Sequence, residues 1–267
     1  MHALKSLPDE SIDLVFADPP YNLSKSKGLL WRFSRYITLH ESWDRLPKED
    51  FLEFSRAWLA QCVRVLKPGG SLWICGTYHN IYQIGFLLHE LHSEMRINNS
   101  IVWFKPNAMP NITRRMFVES CEHLIWASKK GAPWKFNYFW TKSGIDDRLN
   151  PLGKQTRNVW CIPVTPQSEK WAGRHPTQKP IELLRRILLA STDQADVILD
   201  PFAGSGTTAA TALRFLRNSI SIEQLAVFVA IAKRRLKKER RLFDNKATII
   251  FKTTNGSQSD GRKKRFK

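Results

Sequence analysis

The stretch that most constrains this chain is Ile12-Asp13-Leu14-Val15-Phe16-Ala17 running into Asp18-Pro19-Pro20-Tyr21-Asn22. An apolar run rich in β-branched and aromatic residues reads as a buried strand. Two consecutive prolines then fix φ and remove two N–H donors, so the chain leaves that strand rigid and extended. Asp18 and Tyr21 are thereby held on a stiff platform just past a strand's C-terminal end, where open α/β sheets bind ligands. A carboxylate, a bare carbonyl and an aromatic face suit one task well: gripping a planar ring that carries an exocyclic amine. An Asp-Pro pair alone fits an ordinary proline turn capped by Asp18 better, so the reading needs a second signal.

Along the chain, helical and strand patterns alternate. The apolar stripe Phe51, Phe54, Trp58, Cys62 and Leu66 predicts an amphipathic helix ended by Pro68-Gly69-Gly70. Strands are expected at Ser71–Cys75, Ile101–Phe104, His123–Ala127, Val197–Leu199, Ser219–Ile222 and Ala247–Phe251. Helices are expected at Ile81–Leu91, after Pro180, and over Leu225–Leu242 with a basic exposed face. That alternation predicts an α/β fold with a doubly wound, mostly parallel sheet. Two stretches lack a period and mix bases with aromatics, Leu23–Glu49 and residues 131–173. Such composition suits phosphate contact and base stacking, and it equally fits a surface loop and a connecting lid.

The second signal is Asp200-Pro201-Phe202-Ala203-Gly204-Ser205-Gly206-Thr207-Thr208, which follows a strand and opens a helix. Its glycines allow a tight turn and let a ligand lie against bare main chain. Gly204-x-Gly206-x-x-Ala209 also meets the loose dinucleotide fingerprint, and Glu223 ends the next strand where an acid holds ribose hydroxyls. On these features alone an NAD-binding domain fits as well.

The pair of motifs separates the alternatives. Asp-Pro-Phe-x-Gly-Ser-Gly-Thr-Thr resembles the S-adenosyl-L-methionine loop of DNA amino-methyltransferases, and Asp-Pro-Pro-Tyr resembles their catalytic motif. His175-Pro176-Thr177-Gln178-Lys179-Pro180 resembles the segment that precedes the cofactor loop. Catalytic motif first, then a recognition stretch, then the cofactor loop is the order of the β class. Trp73-Ile74-Cys75-Gly76, His79-Asn80-Ile81-Tyr82 and Lys170-Trp171-Ala172-Gly173 look closer still to the DpnA-type adenine methylases of GATC restriction systems.

The resemblance implies transfer of a methyl group from S-adenosyl-L-methionine to adenine N6 in DNA, within a restriction–modification system. Asp18, Pro19, Pro20 and Tyr21 would form the catalytic site: the Asp18 carboxylate and Pro19 carbonyl accept the two amine hydrogens and Tyr21 stacks on the ring. Asp200, Phe202, Gly204, Ser205, Gly206 and Thr207 would form the cofactor loop, with Glu223 on the ribose. His175, Thr177, Gln178 and Lys179 would surround the methionine carboxylate. N4-cytosine methylation is an alternative, although such members more often carry Ser in place of Asp18; a silent DNA-binding module is another. The fold would be of the S-adenosylmethionine-dependent methyltransferase type. It divides into a catalytic half (1–130), a recognition insertion (131–173), a cofactor half (174–251) and a basic disordered tail (252–267). Relatives usually begin with a strand and a Gly-Asp turn ahead of the helix that Ala3–Leu7 represents here, so a weaker cofactor site is expected.

The formal charge of +18 over 267 residues points to a polyanionic partner or a basic tail; DNA, RNA and an anionic membrane surface fit the charge equally, and the resemblance implies DNA, single- or double-stranded. No apolar run spans a bilayer and no signal pattern opens the chain. The four cysteines are scattered, which argues against a disulfide framework or structural metal and for a bacterial-type cytoplasm. A cognate endonuclease would share the system without a stable complex, and a homodimer is left open.

Overall fold

Strand β1 (Ile12–Ala17) is apolar on both faces because both are covered. Side chains alternate across a strand. Val15 and Ala17 therefore enter one layer with Trp58, Leu59, Ile84 and Leu87, while Leu14 and Phe16 enter the other with Trp73, Leu183, Leu184 and Ile187. The structure is a computed structural model that describes residues 2–21, 47–111 and 114–242.

Around β1 lie β2 (Leu66–Gly76), β3 (Met95–Phe104), β4 (Cys121–Lys129), β5 (Val159–Cys161), β6 (Val197–Asp200) and β7 (Asn218–Ser221). Among the described residues they form one seven-stranded sheet in the order β5-β3-β4-β2-β1-β6-β7. β1 pairs in parallel with β2 (Phe16 opposite Trp73) and with β6 (Leu14 opposite Ile198). β4 runs antiparallel to both β2 and β3, and every other pairing is parallel. The C-terminal ends of six strands consequently share one rim with the start of β4. The helices are α1 (His2–Lys5), α2 (Lys48–Val65), α3 (Ile81–Glu90), α4 (Tyr138–Gly144), α5 (Ile181–Ser191), α6 (Thr207–Arg214) and α7 (Ala226–Leu242).

Two sequence expectations need correction. β2 begins at Leu66, not Ser71, because Pro68-Gly69-Gly70 forms a bulge: Ile12 faces Leu66 but Leu14 faces Ser71. Gly69 has φ +78° and a Cβ there would lie 2.5 Å from the Pro133 carbonyl oxygen, so glycine is required. β3 starts six residues early, at Met95, since its polar half is held by antiparallel pairing with β4 rather than by burial. Within residues 131–173, β5 pairs with β3 at the sheet edge, and α4 packs on α5. The aromatics at the start of that stretch lie on the rim opposite Asp18, where Trp134 stacks under Arg96 and the Asn137 amide donates to the Ala190 carbonyl. The expected strand at Ala247–Phe251 and the basic tail lie outside the described residues, as does most of Leu23–Glu49.

What secures the segment to the sheet is a buried ion pair. Arg186 Nη1 sits 2.6 Å from Asp147 Oδ2, with the two side chains 2% and 6% exposed. Asp147 also accepts the amides of Leu149, Asn150 and Cys161. Burial alone would raise the Asp147 carboxyl, but Arg186 and these amides hold it below its ordinary value of 3.8. The folded state therefore binds fewer protons than the unfolded chain, and this stabilisation is complete above that ordinary value and lost as pH falls through the depressed one. Asp147→Ala should lower the unfolding free energy at pH 7 by about 3 kcal/mol, because it leaves a buried guanidinium with only the more exposed Glu182, at 2.8 Å, and takes the acceptor from the Leu149 and Cys161 amides. In urea titrations the gap between variant and wild type should narrow below about pH 4; a loss smaller than about 1 kcal/mol would place the pair among exposed, weak ones.

Candidate active site

Asp18 follows β1 at the shared rim, and its carboxylate is 15% exposed. Lys179, directly before Pro180 and α5, reaches it from 161 residues away: Nζ lies 2.6 Å from Asp18 Oδ2. The Tyr21 hydroxyl donates to Asp18 Oδ1 at 2.6 Å and to Glu122 Oε2 at 3.2 Å. Glu122, near the start of β4, lies 3.5 Å from Lys179 and 3.2 Å from Lys105, and accepts from the Cys75 thiol at 3.6 Å. Two carboxylates and two ammonium groups thus share one nearly dry network around a phenol.

The charges shift accordingly. Burial raises the Asp18 carboxyl despite the neighbouring Lys179, and Glu122 adds to the rise. Glu122 itself, although burial opposes ionisation, is held below its usual range by Lys179 and Lys105. Lys179 is the mirror case: burial works against its charge, and Asp18 and Glu122 overcome that and raise it. Burial and the Asp18 charge keep the Tyr21 phenol protonated.

The cofactor-type loop follows β6 on the same rim. Asp200 is buried; its Oδ1 accepts the Phe202 amide at 3.0 Å and its Oδ2 the Thr208 hydroxyl at 2.5 Å. Burial pushes its carboxyl up to about 7 against those two hydrogen bonds. Phe202 packs edge-on against Trp58 at 5.5 Å, tying the loop to α2. Glu223 Oε2 accepts the Gly204 amide at 2.8 Å and Oε1 the Leu225 amide at 2.7 Å. Gly204 and Gly206 have φ of +50° and +77°, and a Cβ on Gly204 would lie 2.7 Å from His175 Nε2. Ser205 and Thr207 are buried under the loop. The Thr207 hydroxyl donates to the Lys179 carbonyl at 3.2 Å and accepts from Arg235 Nη1 at 2.7 Å.

His175 lies over Gly204 with its ring 4.2 Å from Phe228; burial first, and then Lys179, lower it to about 4, so it is neutral at pH 7. Its Nδ1 is buried with no hydrogen-bond partner. Asp18, Phe16, Thr177, Gln178, Lys179, Phe202 and Gly204 line one cleft of about 20 Å³. An unpaired buried nitrogen, two glycine backbones at positive φ and an acid beside them fit the polar, carboxylate-bearing nucleoside that the loop motif implies.

The sequence-predicted residues therefore converge, with two differences in role. The Lys179 ammonium points to Asp18, not to the glycine loop, and Gln178 donates its side-chain amide to the Glu169 carbonyl at 2.9 Å, holding a turn. Sequence reasoning missed Glu122, Lys105, Cys75 and Arg235. A lone acid inside the apolar pattern of β4 was the available signal for Glu122; Arg235, 1% exposed, was concealed in a helix read as basic and solvated.

Residues 12–234 match the N6_N4_Mtase family, whose description is DNA methylase. The Type II methyltransferase M2.DpnII of Streptococcus pneumoniae is 42% identical over 240 residues, covering 88% of this chain and 86% of that protein. The crystal structure of the M1.HpyAVI–SAM complex superposes with a TM-score of 0.61 at 28% identity, covering 88% of this chain and 91% of that one. The PvuII cytosine-N4-specific DNA methyltransferase shares the fold at 20% identity, with a TM-score of 0.67 over 90% and 87% of the two chains. Two motif loops meeting on one rim, in a chain so similar to these proteins, make it a member of the N6_N4_Mtase DNA methylase family and an S-adenosylmethionine-dependent DNA methyltransferase.

Proposed function

We propose that the chain methylates adenine N6 in DNA as the modification partner of a restriction endonuclease with which it forms no stable complex. The proposed target sequence is GATC. One observation carries the reading of the chemistry: the Asp18 carboxylate, fixed by the two prolines, meets the Lys179 segment beside the glycine loop. The target sequence rests on likeness to M2.DpnII and on the resemblance of the flanking stretches.

The bound cofactor supplies an activated methyl group. Phe202, Gly204, Ser205, Gly206, Thr207, Glu223, His175 and Thr177 would hold it, with Asp200 bracing the loop. Asp18 and the Pro19 carbonyl hold the amine by its two hydrogens. That orients the nitrogen lone pair and favours tetrahedral character at nitrogen. Tyr21 and Lys179 each take one lone pair of the Asp18 carboxylate and leave others for the amine, and Glu122 at 3.5 Å gives the Lys179 charge a second anion. Pro20 keeps the turn extended, and Tyr21, with its hydroxyl tied to Asp18, offers a ring face to the base. The adenine must leave the duplex to reach this turn, at a cost of a few kcal/mol.

Gly204→Ala should weaken S-adenosylmethionine binding at least about tenfold, because it strains a positive φ and drives a methyl into His175. Calorimetry checks this, and an unchanged affinity would remove the loop from the cofactor site. The chemistry is tested at Asp18. Asp18→Ala and Asp18→Asn should both lose methyl transfer by about 100-fold or more while cofactor affinity stays within about threefold. Asparagine turns an NH₂ donor toward the amine, whereas it would replace a mere turn cap well. A nearly active Asp18→Asn enzyme would sink the assignment.

A further inference from the structure

Between β3 and β4 a connection crosses the catalytic rim, and its tip exposes what soluble surfaces usually hide. Phe117 is 98% exposed, beside Met116 at 58% and Val118 at 45%. Arg114 and Arg115 precede them, both exposed. An aromatic side chain is thus held in water in a segment that also carries two exposed guanidinium groups.

The base of the connection is built rather than loose. The Lys105 amide donates to the Ser120 carbonyl at 2.7 Å, and Asn107 Oδ1 accepts the Val164 amide at 3.0 Å. The Arg114 amide donates to Asn111 at both its carbonyl (3.3 Å) and its side-chain oxygen (3.1 Å), and Arg114 adopts φ +54°. The same root carries catalytic-site contacts, since Lys105 binds Glu122, which accepts the Tyr21 hydroxyl. Phe117 precedes Glu122 by five residues, so its Cα lies at most about 18 Å from that of Glu122.

We propose that Phe117 is the wedge that enters the base stack of duplex DNA where the target adenine has left it, with Arg114 and Arg115 on the flanking phosphates. The inference rests on the reading that the base is flipped onto Asp18. Apolar side chains inserted between base steps are a recurrent means of opening DNA, and guanidinium groups position such segments on the backbone. The occupant is duplex DNA because the patch is aromatic and cationic together, on a chain of formal charge +18 and on the rim that holds Asp18.

The test compares methyl transfer to a GATC duplex with transfer to its single strand, using the full chain and labelled S-adenosylmethionine. Phe117→Ala should lower kcat/KM on the duplex about tenfold or more, because the stack is no longer held open. On the single strand, which has no stack to refill, the rate should fall no more than about twofold. Phe117→Trp should restore the duplex rate. A 2-aminopurine at the target position should brighten on binding wild type and remain dim with Phe117→Ala, a readout independent of turnover. Equal losses on both substrates, an undisturbed duplex rate, or a wild type active on single strands alone would each overturn the wedge. A wild type that methylates neither substrate would instead count against the proposed function.

Discussion

The Lys179–Asp18 ion pair is the contact on which the site depends. Neither charge belongs in a nearly dry setting alone: an isolated buried carboxylate or ammonium would neutralise rather than stay ionised. Each is kept charged by the other, and Lys179 also by Glu122, which is in turn held by Lys105. Because one partner follows β1 and the other precedes α5, satisfying the charges also brings together two motifs that are remote in sequence. Burial, helped by the Glu122 charge and opposed by Lys179, leaves Asp18 more basic than a surface carboxylate, which suits a group that must accept hydrogens from an amine.

That pair can form only because β1 is buried on both faces and shares its rim with β6. Parallel pairing of β1 with β6 brings the ends of both strands, and hence both loops, to one side of the sheet. The cofactor loop is then braced from below. Arg235 donates to Thr207, and Thr207 donates to the Lys179 carbonyl, so one run of hydrogen bonds ties α7, the glycine loop and the lysine segment together. Asp200 and Glu223 spend their oxygens on backbone and hydroxyl donors of the same loop, which makes them builders of the cradle as much as lining for it.

Much of this was legible in the chain because it rests on local rules. Pro19-Pro20 dictates its own backbone, the glycines at 204 and 206 need positive φ, and the stripe on α2 follows helical spacing. What was not legible depends on distant partners. β5 is three residues long and exists because β3 offers it an edge; no periodicity could reveal it. Trp134 and Phe136 look like base-stacking residues by composition, yet Arg96 and Trp126 take them up on the far rim. Lys179 is expected beside the methionine carboxylate, and in the structure its ammonium meets the Asp18 carboxylate. Glu122 and Arg235 are charged residues in apolar company, and only folding supplies the partners that explain them.

The fold is shared with the PvuII cytosine-N4-specific enzyme, so architecture alone does not name the base. The most direct measurement is to incubate the full chain with labelled S-adenosylmethionine and DNA, digest the product to nucleosides, and identify the one that carries the label. The account predicts label in N6-methyldeoxyadenosine alone. Label in N4-methyldeoxycytidine would contradict the assignment of adenine to the Asp18 site, and no label in DNA would contradict the activity itself.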